Sequence, residues 1–150
     1  MKSFHIFLSE SRTSMKEFEE LVYLFLPYVF DELKLKSIPP IHFRLGTQNL
    51  HIKNVPGVSI IQNSGFSQTK GTFGQTSHKN RIVVNIKNRH PLDALRTLAH
   101  ELAHYSQHLS GTYGSGETGS STENKASAKA AIIMRNFDYS HPNLFKLNPL

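Results

Sequence analysis

The chain contains no cysteine. That absence rules out disulfide staples and thiolate metal sites, and it fits a reducing compartment. No apolar run is long enough to cross a bilayer. The longest, Leu21 to Phe30, contains Pro27 and falls short of the roughly 20 residues a spanning helix needs. It reads as a buried helix. Met1-Lys2-Ser3-Phe4-His5 has one early charge and an apolar run broken by His5, so no secretory signal is expected, and the cytoplasm is the expected location. At 150 residues the chain can build one domain with its own core.

Acidic side chains are missing over a long interval. Between Leu33 and Leu92 there is no Asp or Glu, while Lys34, Lys36, Arg44, Lys53, Lys70, Lys79, Arg81, Lys87 and Arg89 all lie there. The net charge is +6. A solvated basic face is one reading. An anionic partner, nucleic acid or an acidic polypeptide, is the other, although no aromatic-basic nucleic-acid motif accompanies these residues.

The periodicities divide the chain into helix, sheet and helix. Residues 3–8 suit a short strand. Ser14 precedes Glu17 by three positions, a capping box that starts a helix. Phe18, Leu21, Val22, Phe25, Val29 and Leu33 follow at helical spacing, and Pro27 is expected to kink or split that helix. The middle reads as strands at 41–45, 58–62 and 81–86, with turns at 54–57 and 77–80 and a hairpin over 65–74. His90-Pro91-Leu92-Asp93 starts a helix, with proline at its first position and an acid in its first turn, running to about Leu109. A Gly/Ser/Thr loop covers 110–121. A last helix covers about 122–137, and His141-Pro142 closes it.

What the sequence does have is imidazole in one place. His100, His104 and His108 fall with Glu101 on nine consecutive positions. On a helical wheel Leu95, Leu98, Leu102 and Leu109 share one side, and His100 and His104 share the opposite side, one turn apart. Two imidazoles so spaced can reach one Zn²⁺. Glu101 lies beside that face, where it can take a proton from water that the ion has acidified. This is the physical content of the H-E-x-x-H motif. His108 is about 12 Å from His100 along the axis, too far to share the ion. It reads as an exposed or hydrogen-bonded histidine, or as one lining the cleft. The metzincin extension is excluded, because Gln107 and Ser110 stand where that pattern has glycine and histidine.

A catalytic zinc usually has three protein ligands and one open position. The best third ligand is Glu123, which shares a face of the last helix with Ala126, Ser127, Ala130, Met134 and Phe137. Small Ala126 and Ala130 permit a second helix to approach closely. A competing role is open: Ser120-x-x-Glu123 is also a capping box, in which Glu123 would bond its own helix start. Glu117, in the glycine loop, and Asp138, near the end of the chain, are weaker choices. His5, His42, His51, His78, His90 and His141 have no ligand spacing and read as structural or exposed.

His100-Glu101-Leu102-Ala103-His104, a connecting loop, then Glu123-Asn124-Lys125-Ala126 resembles the gluzincin arrangement of zinc peptidases. The short chain is similar to the minigluzincins, compact zincins some of which are phage-encoded. The resemblance covers mainly residues 80–137. It implies an α+β, zincin-like fold over 1–150: an N-terminal helix, a small mostly antiparallel sheet, the H-E-x-x-H helix and a C-terminal glutamate helix. It implies a zinc peptidase that binds one Zn²⁺ through His100, His104 and Glu123, with Glu101 as general base. It also implies that 81–86, or the hairpin before it, forms a sheet edge on which a peptide or protein substrate adds as a strand. Asn124 or Ser127 would orient a ligand histidine. Tyr113, Tyr139 or His141 would contact the oxyanion or substrate. Two rival expectations stand beside it. One is an inactive zincin-like binding protein that grips nucleic acid or an acidic partner through the basic middle region. The other is a structural domain without metal.

Overall fold

Ser14 caps the first helix with both bonds of the box in place. The Glu17 backbone N–H donates to Ser14 Oγ at 3.1 Å, and the Ser14 N–H donates to Glu17 Oε1 at 3.0 Å. In the computed structural model, which describes residues 11–36, 39, 41–45, 48–49, 71–76, 79–112 and 120–150, this helix is α1, Met15–Leu33. It is not split at Pro27. A proline removes only one i→i−4 hydrogen bond, and Pro27 faces solvent. Val22, Phe25, Leu26 and Val29, buried on either side of it, hold the helix to the core through the defect.

The elements then run β1 (Ile41–Leu45), β2 (Gln48–Asn49), β3 (Gly71–Thr76), β4 (Lys79–Asn85), α2 (Pro91–Ser110), α3 (Ser121–Ser140) and a short 3₁₀ turn, Leu144–Lys146. The architecture is α+β. The strand order is β2-β1-β4-β3. The expectation of a mostly antiparallel sheet needs correcting at its centre: β1 and β4 are parallel, with Ile41 beside Ile82 and Phe43 beside Val84. Each is one arm of a local antiparallel hairpin, β1 with β2 and β4 with β3. How two hairpins dock is settled by which faces they bury together, and here the arms that meet point the same way.

Of the hairpin expected over 65–74, residues 65–70 lie outside the described residues; 71–74 belong to β3, whose partner is the following strand β4. The strands expected at 3–8 and 58–62 and the turn at 54–57 lie outside the described residues.

Alternate positions of the central strands face the helices. Ile41, Phe43, Ile82, Val84 and Ile86 join Phe18, Leu21 and Phe25 of α1, Leu95, Leu98 and Leu102 of α2, and Ile133 and Phe137 of α3 in one apolar core. Phe18 meets Phe43 edge to face at 5.0 Å between ring centroids, and Phe25 meets Phe137 likewise at 5.1 Å. Tyr28 adds a third edge contact to Phe137 at 5.4 Å. α2 packs on β3 and β4 and against both other helices, while α1 and α3 also meet each other directly. Among the described residues no helix is long and apolar enough to cross a membrane.

Phe137→Ala is expected to lower unfolding free energy by about 3–5 kcal/mol, since it empties a fully buried ring site. Ser14→Ala is expected to cost about 1 kcal/mol as a lost cap. Urea unfolding midpoints at unchanged slope check both; equal losses at the two positions would count against this account of the core.

Candidate metal centre

α2 starts as its sequence demands. Pro91 occupies the first turn, and His90 Nδ1 accepts a hydrogen bond from the Leu92 backbone N–H at 3.1 Å. Arg89 grips the same turn through Asp93 at 2.8 Å. The helix ends at Gly111, whose φ of 74° is a left-handed conformation that glycine adopts without a Cβ penalty. Leu95, Leu98 and Leu102 are buried as expected, but Leu109 is 60 % exposed. The last turn, from Ser106 onward, has no buried residue, so Leu109 continues the apolar stripe past the core.

α3 returns antiparallel to α2. Gln107 of α2 touches Thr122 of α3, and His100 of α2 meets Ser127. Ala99 and Ala103 of α2 and Ala126 and Ala130 of α3 are all buried. Small side chains on both helices let them pack closely enough for polar side chains to meet between them.

Glu123 is where the two proposed roles meet, and it fills parts of both. Its backbone N–H donates to Ser120 Oγ at 3.1 Å, so Ser120 caps α3. Its carboxylate turns to α2 instead of completing the box. Oε1 lies 2.7 Å from His100 Nε2, and Oε2 lies 2.9 Å from His104 Nε2. The two Nε2 atoms are 3.0 Å apart. His100, His104 and Glu123 therefore offer one donor atom each at a common point, and this group could hold a metal ion. Metal–ligand bonds of about 2.0–2.2 Å at tetrahedral angles imply donor separations of about 3.3–3.5 Å. The observed separations are a few tenths of an ångström shorter, within reach of small side-chain rotations. The donor set, imidazole and carboxylate without thiolate, suits a borderline divalent ion.

The electrostatics favour the form that binds metal. Burial pushes the His100 imidazole below its ordinary pKa range, against the pull of the Glu123 carboxylate, and His104 adds to the downward push. A neutral imidazole is the ligand form. His104 is buried, and so is Glu101 at 8 % exposure, next in sequence to His100 and about 100° round the helix from it.

The other expected residues scatter. Ser127 Oγ is 3.4 Å from His100 Nδ1, within reach of the outer nitrogen. Asn124 is exposed. Tyr139, 90 % exposed, and His141, stacked on Phe137 at 4.7 Å, lie about 24 Å and 27 Å beyond Glu123 along the axis of α3. Neither is brought to the triad. Asp138 is likewise far along α3 and exposed. Tyr113 and Glu117 lie outside the described residues, as do His5, His51 and His78. His42 is buried in β1, and His90 serves as a cap. His108 is half-buried one turn past His104 and does not join the cluster. The residue that sequence reasoning missed is Gln107. Its amide bridges His104 Nδ1, at 2.8 Å, and the Thr122 carbonyl, at 2.9 Å. A glutamine three residues after the second histidine lies on the ligand face, and that spacing was the available signal.

No family model, no curated protein and no solved structure matches the chain.

Divalent metal is expected to bind one to one and to raise the unfolding free energy by about 2.7 kcal/mol at a free concentration of 100 times Kd. Glu123→Ala is expected to abolish that gain, read as the shift in Tm with and without chelator. The His100 pKa sits below its unfolded value, so the unfolded chain takes up more protons at mildly acidic pH. Metal-free stability should therefore be fully present above about pH 6.5 and decline as pH falls below it. The decline should shrink in His100→Gln; an identical pH profile in that variant would contradict the burial argument.

Proposed function

We propose that the chain is a zinc-dependent peptidase of zincin-like architecture, with residues 1–150 as its single domain. The convergence of His100 Nε2, His104 Nε2 and a Glu123 carboxylate oxygen at one point, with Glu101 inside the same helical turn, is the observation that carries this reading. Two imidazoles and one carboxylate leave the fourth tetrahedral position open, as a catalytic rather than a structural site requires. The gluzincin-like spacing of these residues in the sequence supports the same assignment.

A bound zinc ion would supply Lewis acidity, acidifying water and polarising a scissile carbonyl. The protein's own residues do the rest. Glu101 takes a proton from the attacking water as it adds to the carbonyl carbon, then delivers a proton to the amine nitrogen as the C–N bond breaks. His100, His104 and Glu123 hold the charge in place. Burial of His104 and Glu101 limits competing water and strengthens these interactions. β3 is the terminal strand of the described sheet, and α2 packs against both β3 and β4. An extended peptide adding to that edge would run beside the ligand helix.

Glu101→Gln is expected to retain zinc and to lose hydrolysis of a peptide library by about 10²–10⁴-fold. Cleavage at the wild-type rate by this variant, or by metal-free protein, would remove the proposal. Tight, salt-sensitive DNA binding without turnover on any peptide would replace it with a binding role for the basic middle region.

A further inference from the structure

We propose that Gln107 is a positioning residue that fixes His104 as the Nδ1–H tautomer and so aims a lone pair on Nε2 at the metal position. The inference rests on the metal reading above and assigns a role to a residue outside the ligand motif.

The amide orientation follows from its partners. The Thr122 carbonyl oxygen can only accept, so the atom 2.9 Å from it must be the Gln107 amide nitrogen. Gln107 Oε1 is then the atom 2.8 Å from His104 Nδ1. The reverse orientation would set two oxygens against each other. An amide oxygen can only accept, so Nδ1 carries the hydrogen. A neutral imidazole has one N–H, which leaves Nε2 with its lone pair exposed.

That lone pair points into a place where it is repelled unless a cation is present. His104 Nε2 is 2.9 Å from Glu123 Oε2 and 3.0 Å from His100 Nε2. Nitrogen and carboxylate lone pairs converge stably at such distances around a shared positive charge, a proton or a metal ion. By denying Nε2 its own hydrogen, Gln107 biases the cluster towards such a charge. His100 has no equivalent constraint at Ser127, because the hydroxyl 3.4 Å from its Nδ1 rotates to donate or accept.

Gln107 also links the two helices that carry the ligands. Thr122 is buried and immediately precedes Glu123. One side chain therefore sets both the ring state of a ligand on α2 and the position of the turn that presents the ligand on α3.

The test uses the full chain with zinc alone as the probe, titrated against a competing chelator. Loss of an outer partner of a ligand histidine costs about 10–100-fold in metal affinity, and that weakening is expected for Gln107→Met. Gln107→Glu keeps an acceptor for Nδ1–H but sets a carboxylate oxygen against the Thr122 carbonyl, so it is expected to bind zinc more weakly than wild type and more tightly than Gln107→Met. Long-range ¹H–¹⁵N correlation spectra of the metal-free wild type at about pH 8 are expected to report the Nδ1–H tautomer for His104. Wild-type zinc affinity in Gln107→Met overturns the proposal. So does a loss in Gln107→Glu equal to that in Gln107→Met, or an Nε2–H tautomer in the wild type. Should Gln107→Met fail to fold, the wild-type spectrum decides by itself. A wild type that binds no zinc defeats the metal reading, and the same spectrum still decides the role of Gln107.

Discussion

The close antiparallel packing of α2 on α3 is the constraint on which the candidate centre depends. Neither helix holds a complete donor set. α2 supplies two imidazoles a turn apart, and α3 supplies one carboxylate. They can meet because both helices bury small residues, Ala99 and Ala103 on α2 and Ala126 and Ala130 on α3. Bulkier residues there would force the helix axes apart, beyond the reach of a Glu123 side chain to either histidine. The rest of the fold serves this crossing. α1 and the sheet bury the opposite, leucine-bearing side of α2, and Phe137 fastens the far end of α3 against Phe25 and Tyr28.

The price of bringing these polar groups together is electrostatic. Two histidines and a carboxylate stand within hydrogen-bonding distance of one another in a partly buried place, and burial alone disfavours the charged form of His100. An isolated carboxylate on a packed helix face is costly unless paired. The cluster answers both demands at once, since two imidazole nitrogens and a carboxylate can share one cation. Hydrogen bonds from outside the cluster then hold it ready. Ser120 caps the Glu123 backbone, and Gln107 joins His104 to Thr122. Such support makes a binding geometry precise without adding charge to it.

Glu123 shows how a local motif and a tertiary contact divide one residue. Ser120-x-x-Glu123 predicts a capping box, and half of it forms. The hydroxyl does its part because its partner is the backbone N–H, which helix formation delivers automatically. The carboxylate has a choice, and two imidazoles on a packed neighbour outcompete the helix start. The contrast with Ser14 and Glu17 is direct. There both bonds form and the full box closes.

Features that depend on neighbours along the chain were legible without a structure. The capping of α1, the start of α2 at His90-Pro91, the strands at 41–45 and 81–86, and the one-turn spacing of His100 and His104 all follow from dihedral preference and short-range periodicity. Features that depend on how elements face one another were not. The parallel meeting of β1 with β4, the pairing of 71–76 with the strand that follows, the exposure of Leu109 and the distance of Tyr139 and His141 from the cluster came from packing. Gln107 stands between the two groups: its spacing from His104 sets it on the ligand face, but its partner comes from another helix. A glutamine near a helix end reads as a solvent residue until a carbonyl from another helix fixes its amide. The sequence by itself therefore determined which side chains could bind an ion. Tertiary structure decided which of them meet and which nitrogen is presented, because convergence at a point is a property of packed surfaces and not of spacing along one chain.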